Sequence, residues 1–248
     1  MNYLIGDIGN TSTRICILNE KFTIRKSKIF ETKIIFKNNY LKKILKNFLS
    51  KNLKSTVLMS SVVPLAFKKF KKILKHSKFK TIEIKDLNIK KIIKINVKNI
   101  DQLGSDRIVN AIGAKKFKNS IVIDFGTATT FDIVKDSVYE GGVIAPGIKL
   151  SMMNLTKSTA LLPKFVLKNK QTSYGKNSKD ALNAGFLWGY EGLIKTILKK
   201  ITHSSKKKYK VILTGGYASL FNKLIKSKSM IDQDITIKGI AKVYKYLI

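Results

Sequence analysis

Two stretches of this chain repeat one pattern half a chain length apart. Residues 4–14 read Leu-Ile-Gly-Asp-Ile-Gly-Asn-Thr-Ser-Thr-Arg, and residues 121–131 read Ile-Val-Ile-Asp-Phe-Gly-Thr-Ala-Thr-Thr-Phe. Each is an apolar run of β-strand character that ends in Asp-x-Gly and a hydroxyl-rich turn. The glycine lets the backbone turn tightly, so that N–H groups and hydroxyls can face a phosphate, and the carboxylate at the strand end can hold a cation. Either copy alone reads equally well as a hairpin turn, where Asp and Gly are common. Their repetition, with Asp7 and Asp124 separated by nearly half of the 248 residues, predicts two related α/β halves, 1–115 and 116–248, each presenting one such turn. Two turns facing each other across a cleft would grip the phosphates of a nucleotide from both sides.

The length suffices for two cores of ordinary domain size, and a hydrophobic content of 44% is that of a globular protein. Cys16 is the single cysteine and lies in an apolar run, which excludes a disulfide framework and marks it as a small core residue. The N-terminus lacks a signal-peptide pattern and no apolar stretch is long enough to span a membrane, so the expectation is a cytoplasmic protein with no membrane partner. A net charge of +34 would ordinarily point to nucleic acid. Of the 49 basic residues, however, only Arg14, Arg25 and Arg107 are arginines, whereas nucleic-acid surfaces favour the arginine fork. The Lys, Ile, Asn and Phe bias fits codon drift in an AT-rich genome, and the basic surface is read as a solvated lysine coat. Two of the three arginines fall inside motifs.

In chain order, residues 3–8 and 14–18 form a hairpin around the first turn, and 22–36 continue as short strands rich in Ile, Thr and Phe. Residues 40–53 place Tyr40, Leu41, Ile44, Leu45, Phe48 and Leu49 on one helical face. Thr56–Val63 reads as a strand with Ser60-Ser61 at its end before Pro64. A basic helix follows from Leu65 to Lys75, with His76 closing it where a cation suits the helix dipole. Residues 81–97 give one or two strands. The alternation indicates an α/β fold. In Leu103-Gly-Ser-Asp-Arg-Ile-Val-Asn-Ala-Ile-Gly-Ala114, Ile108, Val109 and Ile112 make a helix face with Ser105 or Asp106 as N-cap. Asp106 is either only a cap or a carboxylate able to take a proton from a hydroxyl, with Arg107 gripping an anion beside it.

Beyond the second turn, residues 139–148 form a Gly-rich strand and loop, and 149–161 look helical. Residues 166–177 are a polar loop, and Ser178 or Asp180 caps a long helix through Ile201 whose Gly185, Gly189 and Gly192 suggest close packing or backbone approach. His203 falls in a polar loop. Val211-Ile-Leu-Thr-Gly-Gly-Tyr-Ala218 is a third strand-to-glycine turn opening a helix, able to admit a flat base against the backbone. No metal-spaced Cys/His cluster occurs, and no Gly-x-x-x-x-Gly-Lys-Ser/Thr loop, which excludes a P-loop kinase.

The set Asp7-Ile-Gly-Asn-Thr11, Gly104-Ser-Asp-Arg107, Asp124-Phe-Gly-Thr-Ala-Thr129, Gly141-Gly-Val-Ile-Ala-Pro-Gly147 and Thr214-Gly-Gly216 resembles type III pantothenate kinase, nearly end to end and in order. That family belongs to the sugar kinase, Hsp70 and actin superfamily of duplicated ribonuclease H-like domains around a nucleotide cleft. The resemblance implies ATP-dependent phosphorylation of pantothenate, the first step towards coenzyme A, in a homodimer with the substrate site near the interface. It implies ATP contacts from Asp7, Ile8, Gly9, Asn10, Thr11, Ser12, Thr13, Arg14 and Thr127, with Asp7 near Mg²⁺ bound through the phosphates. It makes Asp106 the general base, and Val97, Gly104, Ser105, Asp106, Arg107 and Ser178 the pantothenate site. Asp124 matches a ligand of the monovalent cation, K⁺ or NH₄⁺.

This chain departs from the family at Val97 and Ile100, which stand where a Tyr and a Pro are usual, and at Ser178, which stands for a Thr. Loss of the Tyr ring and hydroxyl predicts a raised KM for pantothenate with the base and cation sites intact. Two alternatives compete with this reading. One is another phosphotransferase or phosphohydrolase of the superfamily, acting on a small hydroxy acid. The other is a non-catalytic nucleotide or nucleic-acid binder, for which Asp106 and Asp124 would not matter.

Overall fold

The computed structural model describes residues 1–49, 52–169, 173–225 and 229–248. In chain order the elements are β1 (Asn2–Ile8), β2 (Ser12–Leu18), β3 (Ile24–Glu31), α1 (Asn38–Phe48), β4 (Leu53–Ser61), α2 (Pro64–His76), β5 (Lys80–Glu83), β6 (Lys94–Ile95) and α3 (Ser105–Ala114). They continue with β7 (Ser120–Phe125), β8 (Ala128–Lys135), β9 (Val138–Pro146), α4 (Ile148–Lys157), α5 (Ser178–Ser205), β10 (Lys210–Gly215), α6 (Ala218–Ile225), β11 (Met230–Ile231) and α7 (Ile235–Leu247). The chain divides into two compact units. The first holds Met1–Lys116, Ser137–Glu140 and Asp234–Ile248, and the second Phe117–Asp136 and Gly141–Gln233.

The first unit carries a sheet in the order β3-β2-β1-β4-β5. Strands β1, β2 and β3 are an antiparallel meander, while β4 and β5 run parallel to β1. In the second unit the order is β9-β8-β7-β10-β11, again with an antiparallel hairpin (β7, β8) and two parallel strands on the far side of the central one. The repeated sequence is therefore a repeated topology. Asp7 is matched across its hairpin to Arg14 and across the parallel pair to Ser60. Asp124 is matched in the same way to Thr130 and Thr214. The first three residues of β9 belong to the first unit, where Val138 and Tyr139 pair with Lys94 and Ile95 of β6.

Alternation along the strands builds each core. On one face of the first sheet Leu4, Ile8, Ile15, Ile17, Val57 and Met59 pack with Leu41, Leu45 and Phe48 of α1 and Phe70, Ile73 and Leu74 of α2. Ile5, Cys16 and Leu58 point the other way and are fully buried. Helices α3 and α7 pack on each other and on β1 and β4. A β-carbon on Gly239 would lie 1.9 Å from the Val109 carbonyl oxygen, so the two helices meet backbone to backbone. In the second unit Ile121, Ile123, Phe131, Val211 and Leu213 pack against Ile148 of α4, Tyr190, Ile194 and Leu198 of α5, and Phe221 of α6.

Several local expectations need correction. Only Ile24–Glu31 of residues 22–36 is strand, because Thr32–Phe36 winds into a 3-10 turn that buries Thr32 and Ile35. The N-cap of α3 is Gly104, not Ser105 or Asp106, because the Ser105 hydroxyl is bonded to β4 instead of to its own helix. Asn177, not Ser178 or Asp180, caps α5: its side chain accepts from the Asp180 N–H at 3.0 Å and donates to the Asp180 carboxylate at 2.7 Å. Helix α4 stops at Lys157 rather than 161. Helix α5 runs on through His203, since Thr202, Ser204 and Ser205 fold their hydroxyls onto carbonyls one turn back, and Lys206 ends it in a left-handed conformation. A β-carbon on Gly185, Gly189 or Gly192 would meet nothing within 4 Å, so these glycines serve no close packing among the described residues. Residues 50–51 of the expected first helix and 170–172 of the expected polar loop lie outside the described residues.

Candidate active site

The first turn joins β1 to β2. Gly9 N–H donates to the Ser12 carbonyl at 3.0 Å, which leaves Asn10, Thr11 and Ser12 exposed at the tip. Ile8 and Thr13 bury their side chains, so what they can offer a ligand is backbone. Thr32, which the sequence did not single out, braces the turn from behind. Its N–H donates to the Thr11 carbonyl at 3.0 Å and its hydroxyl to the Gly9 carbonyl at 2.6 Å, and it lies 3.0 Å from the Thr13 hydroxyl. Asp7 is half-buried at the end of β1. Arg14 donates from Nη2 to Asp234 Oδ1 at 2.6 Å and from Nε to the Ser27 hydroxyl at 3.0 Å, so its guanidinium is fixed on the hairpin.

The second group sits at the start of α3. Gly104, in extended conformation, breaks the chain into the helix, and a β-carbon there would fall 2.5 Å from Asp106 Oδ1. The missing side chain is what lets the Asp106 carboxylate fold back over the helix start. Oδ1 accepts from the Arg107 N–H at 2.8 Å. Burial pushes the Asp106 pKa above the usual aspartate range, against the pull of the Arg107 N–H, the Arg107 charge and, further off, Lys85. The result is a carboxylate shifted towards the basicity that proton abstraction from a hydroxyl requires. Arg107 is half-buried beside it. Ser105, by contrast, is fully buried, its hydroxyl accepting from Ser61 N–H at 2.8 Å and donating to the Ser61 carbonyl at 3.0 Å. Val97 is half-buried in the segment between β6 and α3.

In the second unit Asp124 stands on β7 one residue before the strand ends, with Gly126 N–H turned onto the Ala128 carbonyl at 3.0 Å and Thr127 exposed. The Gly215-Gly216 turn closes over it. Gly215 has φ +85°, and a β-carbon on it would fall 2.7 Å from Asp124 Oδ1 and 2.7 Å from the Phe125 carbonyl oxygen. Gly216 N–H donates to that same carbonyl at 3.1 Å. Gln233 holds the turn from its other edge: its Oε1 accepts from Gly215 N–H and its Nε2 donates to Gly215 O, both at 3.1 Å, so that one side chain stands in for a strand partner. Ser178 is exposed at the first position of α5. Thr32, Asp234 and Gln233 gave no sequence signal, because each acts on a turn far away in the chain.

A family model described as type III pantothenate kinase matches residues 3–200. This chain belongs to the type III pantothenate kinase family. A curated family member from Pelagibacter ubique (strain HTCC1062) is 45% identical over 241 residues, covering 96% of this chain and 97% of its own. Another, from Sulfurihydrogenibium sp. (strain YO3AOP1), is 34% identical over 261 residues, covering 98% of this chain and 99% of its own. Among solved structures, the (R)-2-hydroxyglutaryl-CoA dehydratase component A of Acidaminococcus fermentans has a TM-score of 0.61 at 13% identity, covering 100% of this chain and 97% of that one. A likeness at that identity is one of fold. The part of the type III pantothenate kinase model that matches here runs from β1 into α5, so it takes in both Asp-x-Gly turns and the start of α3.

Proposed function

We propose that this chain transfers the γ-phosphoryl group of ATP to the hydroxyl of pantothenate, the first step of coenzyme A synthesis. The observation that carries this reading, beside family membership, is Asp106: a carboxylate at a helix start, made more basic by burial, with a guanidinium on the next residue. Asp106 takes the proton of the attacking hydroxyl, while Arg107 and the backbone from Gly104 hold the substrate's carboxylate end. Val97 belongs to that site as well, and Ser178 is assigned to pantothenate by the family resemblance. The β1–β2 turn, from Asp7 to Arg14, and Thr127 hold the ATP phosphates, with Asn10, Thr11 and Ser12 supplying the exposed donors and Thr32 keeping them in shape. Catalysis is then mainly alignment of the two reactants and neutralisation of charge as the bond to the leaving phosphate loosens.

The donor set suits the ions such a reaction uses. Among the described residues no three metal-ligating side chains cluster. A divalent ion would therefore be held by the ATP phosphates with Asp7 as the protein's contribution, the mode that Mg²⁺ favours. Around Asp124 the donors are oxygen, and the space that a β-carbon on Gly215 would fill is kept open beside the carboxylate; Asp124 is the ligand for K⁺ or NH₄⁺. Such ions neutralise the phosphate charge during transfer.

An apolar groove of about 650 Å³ on the second unit, lined by Leu155, Leu162, Leu182, Phe186 and Leu193 beside the open glycine row of α5, supports a homodimer with a second copy seated there. No helix among the described residues is long and apolar enough to cross a membrane, which is compatible with the cytoplasmic location proposed here. The test is coupled ADP release with ATP, Mg²⁺ and K⁺, with and without pantothenate. Pantothenate-dependent release supports the reading; equal release without it contradicts the substrate assignment.

A further inference from the structure

Glu83 ends β5, which runs parallel to β4 and places Glu83 beside Met59. Its side chain is half-buried. A carboxylate there is tolerated only where donors converge on it. Lys85 N–H donates to Oε2 at 2.6 Å and Ser61 N–H to Oε1 at 3.3 Å, and the same Ser61 N–H is shared with the Ser105 hydroxyl oxygen at 2.8 Å. Burial still leaves the Glu83 pKa raised, against the pull of the hydrogen bonds around it.

Those contacts lead to the start of α3. Ser105 is its first residue, and its buried hydroxyl also touches the Ser61 N–H and carbonyl and lies 3.2 Å from the Ser60 hydroxyl. The cap residue of this helix, Gly104, has no side chain to close the first turn. The helix start is instead tied to the ends of β4 and β5 through the Ser61, Ser105 and Glu83 cluster. Asp106 and Arg107 are the next two residues.

We propose that Glu83 is a positioning residue for the acceptor half of the reaction. Acting through Ser105 and Ser61, it fixes the first turn of α3 and so the placement of the Asp106 carboxylate and the Arg107 guanidinium on pantothenate. This rests on the kinase reading above. The role calls for a carboxylate: one oxygen accepts from the Lys85 N–H and the other from the Ser61 N–H, whereas a glutamine amide would turn its NH₂ against one of those two N–H groups. The first turn must then shift, and a misplacement of the order of 1 Å at a reacting group costs up to about a hundredfold in rate.

The test is steady-state kinetics of wild type, Glu83→Gln, Ser105→Ala and the double variant, each confirmed as folded by circular dichroism. Glu83→Gln should lower kcat roughly tenfold and raise the KM for pantothenate severalfold, while the KM for ATP stays within about twofold. Partial unfolding alone would lower the maximal rate and leave both KM values unchanged. Because both side chains act through one cluster, adding Glu83→Gln to Ser105→Ala should cost little more than Ser105→Ala alone. If Glu83→Gln does not fold, Ser105→Ala by itself must show the same split between the two substrates. Unchanged pantothenate KM with near-normal kcat, or losses that simply multiply in the double variant, overturn the positioning role. Wild-type protein without pantothenate-dependent turnover overturns the kinase reading, and this inference with it.

Discussion

Gly215 and Gly216 are neighbours with opposite tolerance for a methyl group, and the contrast gives a quantitative test of the site in the second unit. At Gly215, alanine must adopt φ near +85° with its β-carbon 2.7 Å from both Asp124 Oδ1 and the Phe125 carbonyl oxygen. The left-handed backbone costs about 1 kcal/mol or somewhat more. Relieving the overlap costs a further 1–3 kcal/mol or so, because two of the three nearest atoms belong to the backbone of a central strand. A total near 3 kcal/mol corresponds to a fall in Tm of about 6–12 °C for a chain of this size. At Gly216 a β-carbon meets nothing within 4 Å, so alanine should lie within about 1 kcal/mol of wild type. Scanning calorimetry of both variants, followed by K⁺ titration of their activity, checks the reasoning. Gly215→Ala should also raise the K⁺ concentration needed for half-activation, because the relief pushes on Asp124. Equal melting temperatures for the two variants would refute it.

Asp106→Asn should lower kcat by about 10²–10⁴-fold. Burial raises the folded-state pKa of Asp106 above its unfolded value, so its contribution to stability is full below the ordinary aspartate range and is lost as pH rises through the raised value. The uncharged variant should therefore melt no lower than wild type at neutral pH, and a clearly lower Tm there would contradict the assignment. For the same reason wild-type kcat/KM should fall on the acid side at a pH above the usual aspartate range. The Arg14–Asp234 pair, 2.6 Å long with its side chains 22% and 40% exposed, should give a coupling of about 0.5–1 kcal/mol in a double-mutant cycle read by urea unfolding; no coupling would mean that the contact does not persist in solution. Leu193→Asp in the apolar groove should shift the protein to monomer by size-exclusion chromatography with light scattering, and an unchanged dimer would place the interface elsewhere.

Much of the fold is legible in the residues, because it follows from short-range pattern. The β1–β2 hairpin, the apolar faces of α1 and α2, and the glycine turn after β10 all depend on residues a few positions apart. The half-length repeat has a direct counterpart in the five strands β3-β2-β1-β4-β5 of one sheet and β9-β8-β7-β10-β11 of the other, which follow the same order. What sequence could not show depends on long-range pairing. Helix α7 packs on α3, more than a hundred positions away, and short-range pattern cannot show such a pairing. Ser105 carries a good cap side chain, yet its hydroxyl is taken by Ser61, 44 positions away. Glu83, Gln233 and Thr32 look like ordinary polar residues until their partners across the sheet are seen. His203 was misplaced because three hydroxyl residues, poor helix formers in isolation, satisfy themselves on the preceding turn.

In the proposed reaction Asp106 activates the pantothenate hydroxyl for attack on ATP. The decisive experiment is mass spectrometry of the products from ATP, Mg²⁺, K⁺ and pantothenate, with wild type and Asp106→Asn in parallel. Wild type should form one new species, pantothenate carrying a single phosphate, together with ADP, and the variant almost none. Phosphorylated pantothenate formed at equal rates by both proteins would remove Asp106 as the base, and ADP without any phosphorylated pantothenate would contradict the function itself.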